Sequence, residues 1–256
     1  MAQRFKKTIL SQKAVSDSFS KISNFRRISV EKLSGAYDTQ AAGLPRGRTS
    51  LLTEETREKQ RRRLVKAAIS AFAEKGFAAT TITDIVKRAR VSKQAFYEIF
   101  ENKEDCFLAA DDLGRKALFE QVLSDIKLEG IHADQWIRSS VRAYLQLCNS
   151  EQDFTKAWAI EFPNAGSRCL EQRNLFFAKL GKRLKSIHNV IKMNHPDQWV
   201  SVPDLFYDAA IGGAYEIIFR YICQNKFTEL LDLEDDLVKF IQFSIGYKQV
   251  ETDISK

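Results

Sequence analysis

The chain has 256 residues, 44% of them hydrophobic, with only 11 Gly and 4 Pro, which allows a real buried core and argues against a loop-rich or all-β protein. Its formal net charge of +7 is unevenly placed: residues 1–50 hold ten Lys/Arg against three Asp/Glu, residues 51–104 twelve against eight, and residues 105–256 eighteen against twenty-two. A basic front on a mildly acidic body points either to a polyanion partner for the front or to a solvated surface with a basic tail. Cys106, Cys148, Cys169 and Cys223 form no Cys-x-x-Cys pair, and no His stands at metal-ligand spacing. They read as reduced core thiols of a cytoplasmic protein without a metal or cofactor. No run of about 18 apolar residues is present to span a membrane, and the N-terminus lacks a signal-peptide apolar core.

Residues 1–44 are rich in Ser, Lys and Arg with no sustained periodicity, so they read as a basic, flexible extension. In the following arm, Pro45 and Gly47 break structure while Arg46 and Arg48 add charge. A first helix is predicted from Thr53, with Glu54 and Glu55 at its positive end and Leu64, Val65, Ala68, Ile69 and Phe72 as its apolar stripe. Gly76 ends it where a left-handed cap is needed.

The next stretch punctuates itself. Thr81 with Asp84 makes a capping-box start, Ile82, Ile85, Val86 and Ala89 point inward, and the helix stops near Arg90. Ser92 caps a short helix, Lys93 to Phe100, whose inner face is Phe96 and Phe100, and Asn102 caps the helix after that. Two short helices joined by a tight turn are what a helix-turn-helix requires. Beyond it the chain reads as successive helices over about 103–127, 132–149, 152–163, 167–193, 203–226 and 232–247, broken at Gly130, Pro163, Gly166, Pro196 and Pro203. The expected fold is all-α: a helix-turn-helix domain over 45–105, an all-helical body over 106–250, and a tail over 251–256.

A recognition helix must be short, rigidly held, and able to show its side chains to base edges in the major groove. With Phe96 and Phe100 inward, Lys93, Gln94, Ala95, Tyr97 and Glu98 point outward or sideways. Lys93 suits guanine or phosphate, Gln94 suits adenine, Ala95 a thymine methyl, and the Tyr97 hydroxyl a phosphate. Lys103, in the first turn of the next helix, is a candidate phosphate anchor. Thr81, Thr83, Arg46 and Arg48 complete the set of candidate DNA contacts. Taken singly, Lys93 and Lys103 read as solvated lysines, and Tyr97 reads also as a core-edge aromatic. The ordered set carries the argument.

That set resembles the DNA-binding domain of the TetR family of transcriptional regulators from Leu64 to Ala110. The resemblance rests on Gly76-Phe77, Thr80-Thr81, Asp84-Ile85, Ala89, Val91-Ser92, Phe96-Tyr97, Phe100 and Asn102-Lys103-Glu104. The run RVSKQAFYEIFENKEDCFLAA and the preceding LPRGR are similar to an actinobacterial subgroup. One departure is Arg90, where the family usually has Gly; if that position needs positive φ, a side chain there costs about 1 kcal/mol.

The resemblance implies a ligand-responsive repressor that binds a near-palindromic operator as a homodimer, through two long C-terminal helices. Here these would present Ile211, Tyr215, Ile218 and Ile222, with Gly212 and Gly213 between them, and Leu237 and Ile241. The same stripes would also serve the subunit's own core. The resemblance further implies a small-molecule cavity in the body, for which Trp136, Tyr144, Trp158, Glu161, Phe162 and Phe177 are the candidates, with Arg142 and His188 as further polar contacts and the effector unknown. An enzyme is not expected: no Gly-x-Ser-x-Gly, P-loop or dinucleotide fingerprint is present, and no catalytic residue is assigned. The other reading is a helix-turn-helix protein with no effector, whose body would be solidly packed.

Overall fold

A computed structural model describes residues 32–35, 54–124 and 133–248. Among the described residues the chain is helical, with one isolated bridge, Trp199 to Tyr247, in place of any sheet. The expected Thr53 cap and the Arg46 and Arg48 arm lie outside the described residues.

The head comprises α1 (Glu54–Lys75), α2 (Ile82–Ala89) and α3 (Lys93–Tyr97). The expected punctuation is present at each junction. Gly76 adopts φ 81° after α1. Thr81 Oγ1 accepts from the Asp84 N–H while the Asp84 carboxylate accepts from the Thr81 N–H, closing the capping box of α2. Ser92 Oγ accepts from the Ala95 N–H to start α3, and Asn102 Oδ1 accepts from the Asp105 N–H to start the next helix. α3 is shorter than the eight residues expected. Its last turn tightens, the Ile99 and Phe100 N–H groups both donating to the Phe96 carbonyl.

α4 (Lys103–Ser124) runs from the head into the body. The body continues with α5 (Ala133–Ser150), α6 (Gln152–Lys156), a π-helical turn at Ala157–Glu161 and a 3-10 turn at Phe162–Asn164. Then come α7 (Ser167–Asn194), α8 (Leu205–Cys223), a second 3-10 turn at Phe227–Leu233, and α9 (Glu234–Ser244). The single helix expected over 152–163 is thus three pieces: the chain widens into a π turn at Ala157, then tightens at Pro163, which has no N–H to continue the ladder.

Two apolar clusters organise the chain. The first is continuous from head to body: Leu64, Ile69, Phe72, Ile85, Phe96 and Phe107 share it with Trp158, Phe162 and Phe176. The second joins α5, α7, α8 and α9 through Ile137, Leu145, Leu184, Ile218, Ile222 and Leu237. The described residues of the N-terminal extension, 32–35, pack on the head. Leu33 is 2% exposed and sits in the first cluster, and the Gly35 N–H donates to Ser70 Oγ on α1 at 3.0 Å.

Candidate DNA-binding head and effector cavity

The recognition face is built from inside out. Phe96 and Phe100 are buried, and their rings pack at 5.7 Å between centroids. This fixes α3 on the head and leaves Lys93, Gln94, Tyr97 and Glu98 exposed, Tyr97 at 56%. Gln94 Nε2 donates to Glu98 Oε1 at 3.0 Å, so the two polar ends hold each other one turn apart. Arg57 on α1, which sequence reasoning missed, donates to the Glu98 carbonyl at 3.2 Å and ties the end of α3 to the first helix.

Three candidate contacts are corrected. Ala95 is buried at 8% exposure, turned toward the head rather than toward a thymine methyl. The Thr81 hydroxyl is committed to its own helix, donating to Asp84 Oδ2 at 2.6 Å. With Lys75 also paired to Asp84 at 2.9 Å, these bonds hold that carboxyl well below the usual carboxylate range. Lys103 is a clamp, not an anchor: Nζ donates to the carbonyls of Phe77 at 2.6 Å, Thr80 at 3.0 Å and Ala78 at 3.3 Å, and lies 4.3 Å from the Phe77 ring centroid. An ammonium has three donors, so none remains for a phosphate, and burial pushes the Lys103 pKa down. Thr83 is half-buried.

Arg90 takes the left-handed conformation at the end of α2, φ 54° and ψ 45°. The Val91 N–H reaches back to the Val86 carbonyl at 3.1 Å, which closes the helix as a Schellman turn does. The position therefore does demand positive φ.

In the body, α4, α5, α7, α8 and α9 surround a cavity of about 170 Å³. Its walls are apolar: Leu118 from α4, Trp136, Ile137, Val141 and Tyr144 from α5, Phe176, Phe177, Leu180 and Leu184 from α7, then Ile211, Ala214, Tyr215 and Ile218, and finally Leu237 and Ile241. Ser140 and Arg183 are its other lining residues. Of the candidate effector contacts, Trp136, Tyr144 and Phe177 line this cavity.

Trp158, Glu161 and Phe162 do not line the cavity; they occupy the joint between head and body. Trp158 Nε1 donates to Asp111 Oδ1 on α4 at 2.9 Å, and the indole packs edge-on against the cavity residue Phe176. Burial raises the Asp111 pKa against the opposing pull of Trp158 and Arg115. Phe162 is fully buried against Phe107. Glu161 Oε2 accepts from the Phe77 N–H at 2.7 Å, and Arg168 at the start of α7 pairs with Glu104 and Asp105 at the start of α4. Arg142 is spent on Glu234, and His188 is buried beside Tyr207 instead.

The expected dimer residues are corrected too. Ile211, Tyr215, Ile218, Leu237 and Ile241 line the cavity, and Ile222 is 1% exposed in the second cluster, so all six face their own subunit. The exposed apolar side chains of the last two long helices are Leu205, Phe206, Phe240 and Phe243.

Residues 64–110 match the family model of bacterial regulatory proteins, tetR family. The chain is 47% identical over 51 residues to a helix-turn-helix-type transcriptional regulator, YerO, of Bacillus subtilis, covering 20% of this chain and 18% of that one. It is 31% identical over 99 residues to a second such regulator of that organism, YdgC, covering 38% of this chain and 51% of that one. The chain thus spans only about a fifth and about half of these relatives' lengths. Its fold is similar to the transcriptional regulator FadR from Bacillus subtilis, solved in complex with stearoyl-CoA: TM-score 0.61 and 17% identity, over 70% of this chain and 96% of that one. Among the described residues no helix is long and apolar enough to cross a membrane.

Proposed function

From the premise of a TetR-family head at residues 64–110, we propose that the protein is a ligand-responsive transcriptional repressor that binds a near-palindromic operator as a homodimer. The observation that carries the reading is the continuity of α4, which supports the head at Lys103 and walls the cavity at Leu118. A molecule entering the cavity acts on the same helix that holds the recognition element.

Lys93, Gln94, Tyr97 and Glu98 form the base- and phosphate-reading face, joined by Arg46 and Arg48 of the arm and by Thr83. The exposure of Lys93, Gln94, Tyr97 and Glu98 at a short, buried-backed helix supports their role. A second copy docks across Leu205, Phe206, Phe240 and Phe243, setting two α3 helices about 34–36 Å apart, one turn of DNA. FadR binds stearoyl-CoA; the apolar walls here favour an effector with a large apolar part. The effector shifts the population toward a head spacing that fits DNA poorly, by as much as its affinity differs between the two shapes. The cavity weighs against a regulator with no effector. A cytoplasmic, non-enzymatic protein completes the reading, and the run RVSKQAFYEIFENKED keeps the actinobacterial subgroup within it.

The test is selection of genomic DNA fragments by the purified protein at physiological salt, repeated with Lys93→Ala and Tyr97→Ala combined. An inverted repeat that the variant loses is the expected result. Weak, motif-free binding by both proteins would overturn the assignment of α3.

A further inference from the structure

The cavity is not uniformly apolar in its chemistry. Trp136 Nε1 and Ser140 Oγ are both shielded from solvent, and neither has a hydrogen-bond partner. They are one helical turn apart on α5, and both residues line the cavity. Buried polar atoms are nearly always paired, because leaving one unpaired costs about 1–3 kcal/mol. Two orphans side by side on a cavity wall mark the place where a ligand supplies the missing partner.

The chemistry of that partner is constrained. An indole N–H donates only, and so does a guanidinium. Arg183, the one charged residue in the described lining, is half-buried in the opposite wall, where burial pushes its pKa down. Depth along the helices brings these groups to one end. Arg168 and Glu104 pair near the head. Leu118 lies 14 residues along α4 from Glu104, and Arg183 lies 15 along α7 from Arg168. At about 1.5 Å per residue both are about 21–23 Å from that pair. The far end of α5 reaches the cluster shared with the head, where Leu147 packs and Glu151 just beyond it bonds to Leu33, so Trp136, near its start, lies at the distal end, and Tyr144 is eight residues closer to the head. Phe176, Phe177 and Tyr215 cluster with Trp158 at the near end.

We propose that the effector is a hydrophobic carboxylic acid, its carboxylate held at the distal end by Trp136 Nε1, Ser140 Oγ and Arg183, and its apolar body directed toward Phe176, Phe177 and the head. A carboxylate is acceptor-only, so it satisfies both orphaned donors and gains the attraction of the Arg183 guanidinium. An amine would meet donors with donors. An acyl-CoA carries several phosphates, and the described lining offers one cation for them. This inference rests on the cavity being the effector site.

The probes are decanoate, decanol and decanoyl-CoA, titrated calorimetrically into the full chain and into Trp136→Phe, Ser140→Ala and Arg183→Met, with operator affinity measured alongside. Decanoate is expected to bind more tightly than decanol. Each variant should weaken decanoate on the order of tenfold, the worth of one charge-assisted hydrogen bond, while leaving decanol nearly unchanged. The decanol reference makes a general loss of folding recognisable, because that would lower both. Equal binding of acid and alcohol, preference for decanoyl-CoA, a decanoate-to-decanol ratio that the variants do not alter, or no binding by any probe would each overturn the proposal. If decanol also releases the operator, the effector site stands without the carboxylate; if decanoate binds as described yet operator affinity is unmoved, the carboxylate site stands without the effector role.

Discussion

The backbone N–H of Leu33 donates to Oε2 of Glu151 at 3.1 Å, across 118 residues of sequence. Glu151 lies just before α6, and Ser70 of α1 receives the Gly35 N–H two residues on. Ser70 Oγ in turn lies 3.4 Å from Asp153 Oδ2. A short N-terminal strap thus crosses from the first head helix to the body, with the Leu33 side chain buried beneath it. Leu33→Ala is expected to lower unfolding stability by about 2–4 kcal/mol, the usual loss for a fully buried leucine. Urea unfolding checks it; an unchanged midpoint would mean that Leu33 contributes no packing. This variant keeps every charge of the extension. It therefore separates packing from charge: deleting residues 2–44 removes both the Leu33 packing and the basic residues, and if those residues meet phosphates the deletion should also flatten the dependence of log K on log salt.

Lys103 makes the contrast between clamp and anchor measurable. Replacing it with Met leaves the carbonyls of Phe77, Ala78 and Thr80 without their shared donor, and should cost about 2 kcal/mol of stability. The salt slope of DNA binding should stay as it is, because no phosphate contact is lost. Lys93→Ala should do the reverse, reducing the slope by about one while barely moving the melting temperature. Equal slope changes for the two variants would restore Lys103 as a phosphate contact.

The head was legible because its signals are local. Thr81 with Asp84, Ser92, Asn102 and Gly76 each fix a helix end within three or four residues, and each is found where the pattern puts it. What escaped depends on partners distant in sequence. Lys103 looks like any lysine until the loop 77–80 folds over it. Glu161 and Trp158 look like cavity residues until Phe77 and Asp111 claim them. On α8 and α9 the periodicity predicts an apolar stripe, but period alone does not say what the stripe faces. Ile211 and Ile218 face the cavity, while bulky Phe240 and Phe243 stand exposed on the neighbouring face. Ser140 and Arg183 had one usable signal: both are polar interruptions of otherwise apolar stripes.

Arg90 has φ 54°, a conformation that costs a side chain about 1 kcal/mol relative to glycine. Arg90→Gly should therefore stabilise the head by up to about 1 kcal/mol, offset in part by the greater freedom glycine gains when unfolded. Thermal unfolding reads the sign directly. A destabilised variant would show that the arginine side chain contributes more than its backbone strain removes.

Phe206, Phe240 and Phe243 test the face assigned to the second copy. Phe243 is 50% exposed, so Phe243→Asp should leave the monomer folded while placing a charge in the centre of a dimer seam. Sedimentation should show a shift from dimer to monomer, with operator affinity falling with it. Ile222→Asp should instead unfold the chain, since that side chain is 1% exposed. If Phe243→Asp remains fully dimeric, the seam lies elsewhere on the body.

The ring of His188 is fully buried, its Nδ1 2.7 Å from the Tyr207 hydroxyl, and it packs against Trp199. Burial, reinforced by the positive charge of Lys192, depresses its pKa below the ordinary histidine value. The folded protein therefore holds this ring neutral at a pH where the unfolded chain has begun to protonate it. The sign follows: the contribution is complete above about pH 6.5, and falls away as pH drops through that value toward the depressed one. Carboxylates titrate in the same experiment, so the difference between wild type and His188→Gln isolates the histidine. That difference in melting temperature should shrink between pH 7 and pH 5. A difference that stays constant across the range would show that His188 titrates alike in both states, and that its burial beside Tyr207 carries no proton linkage.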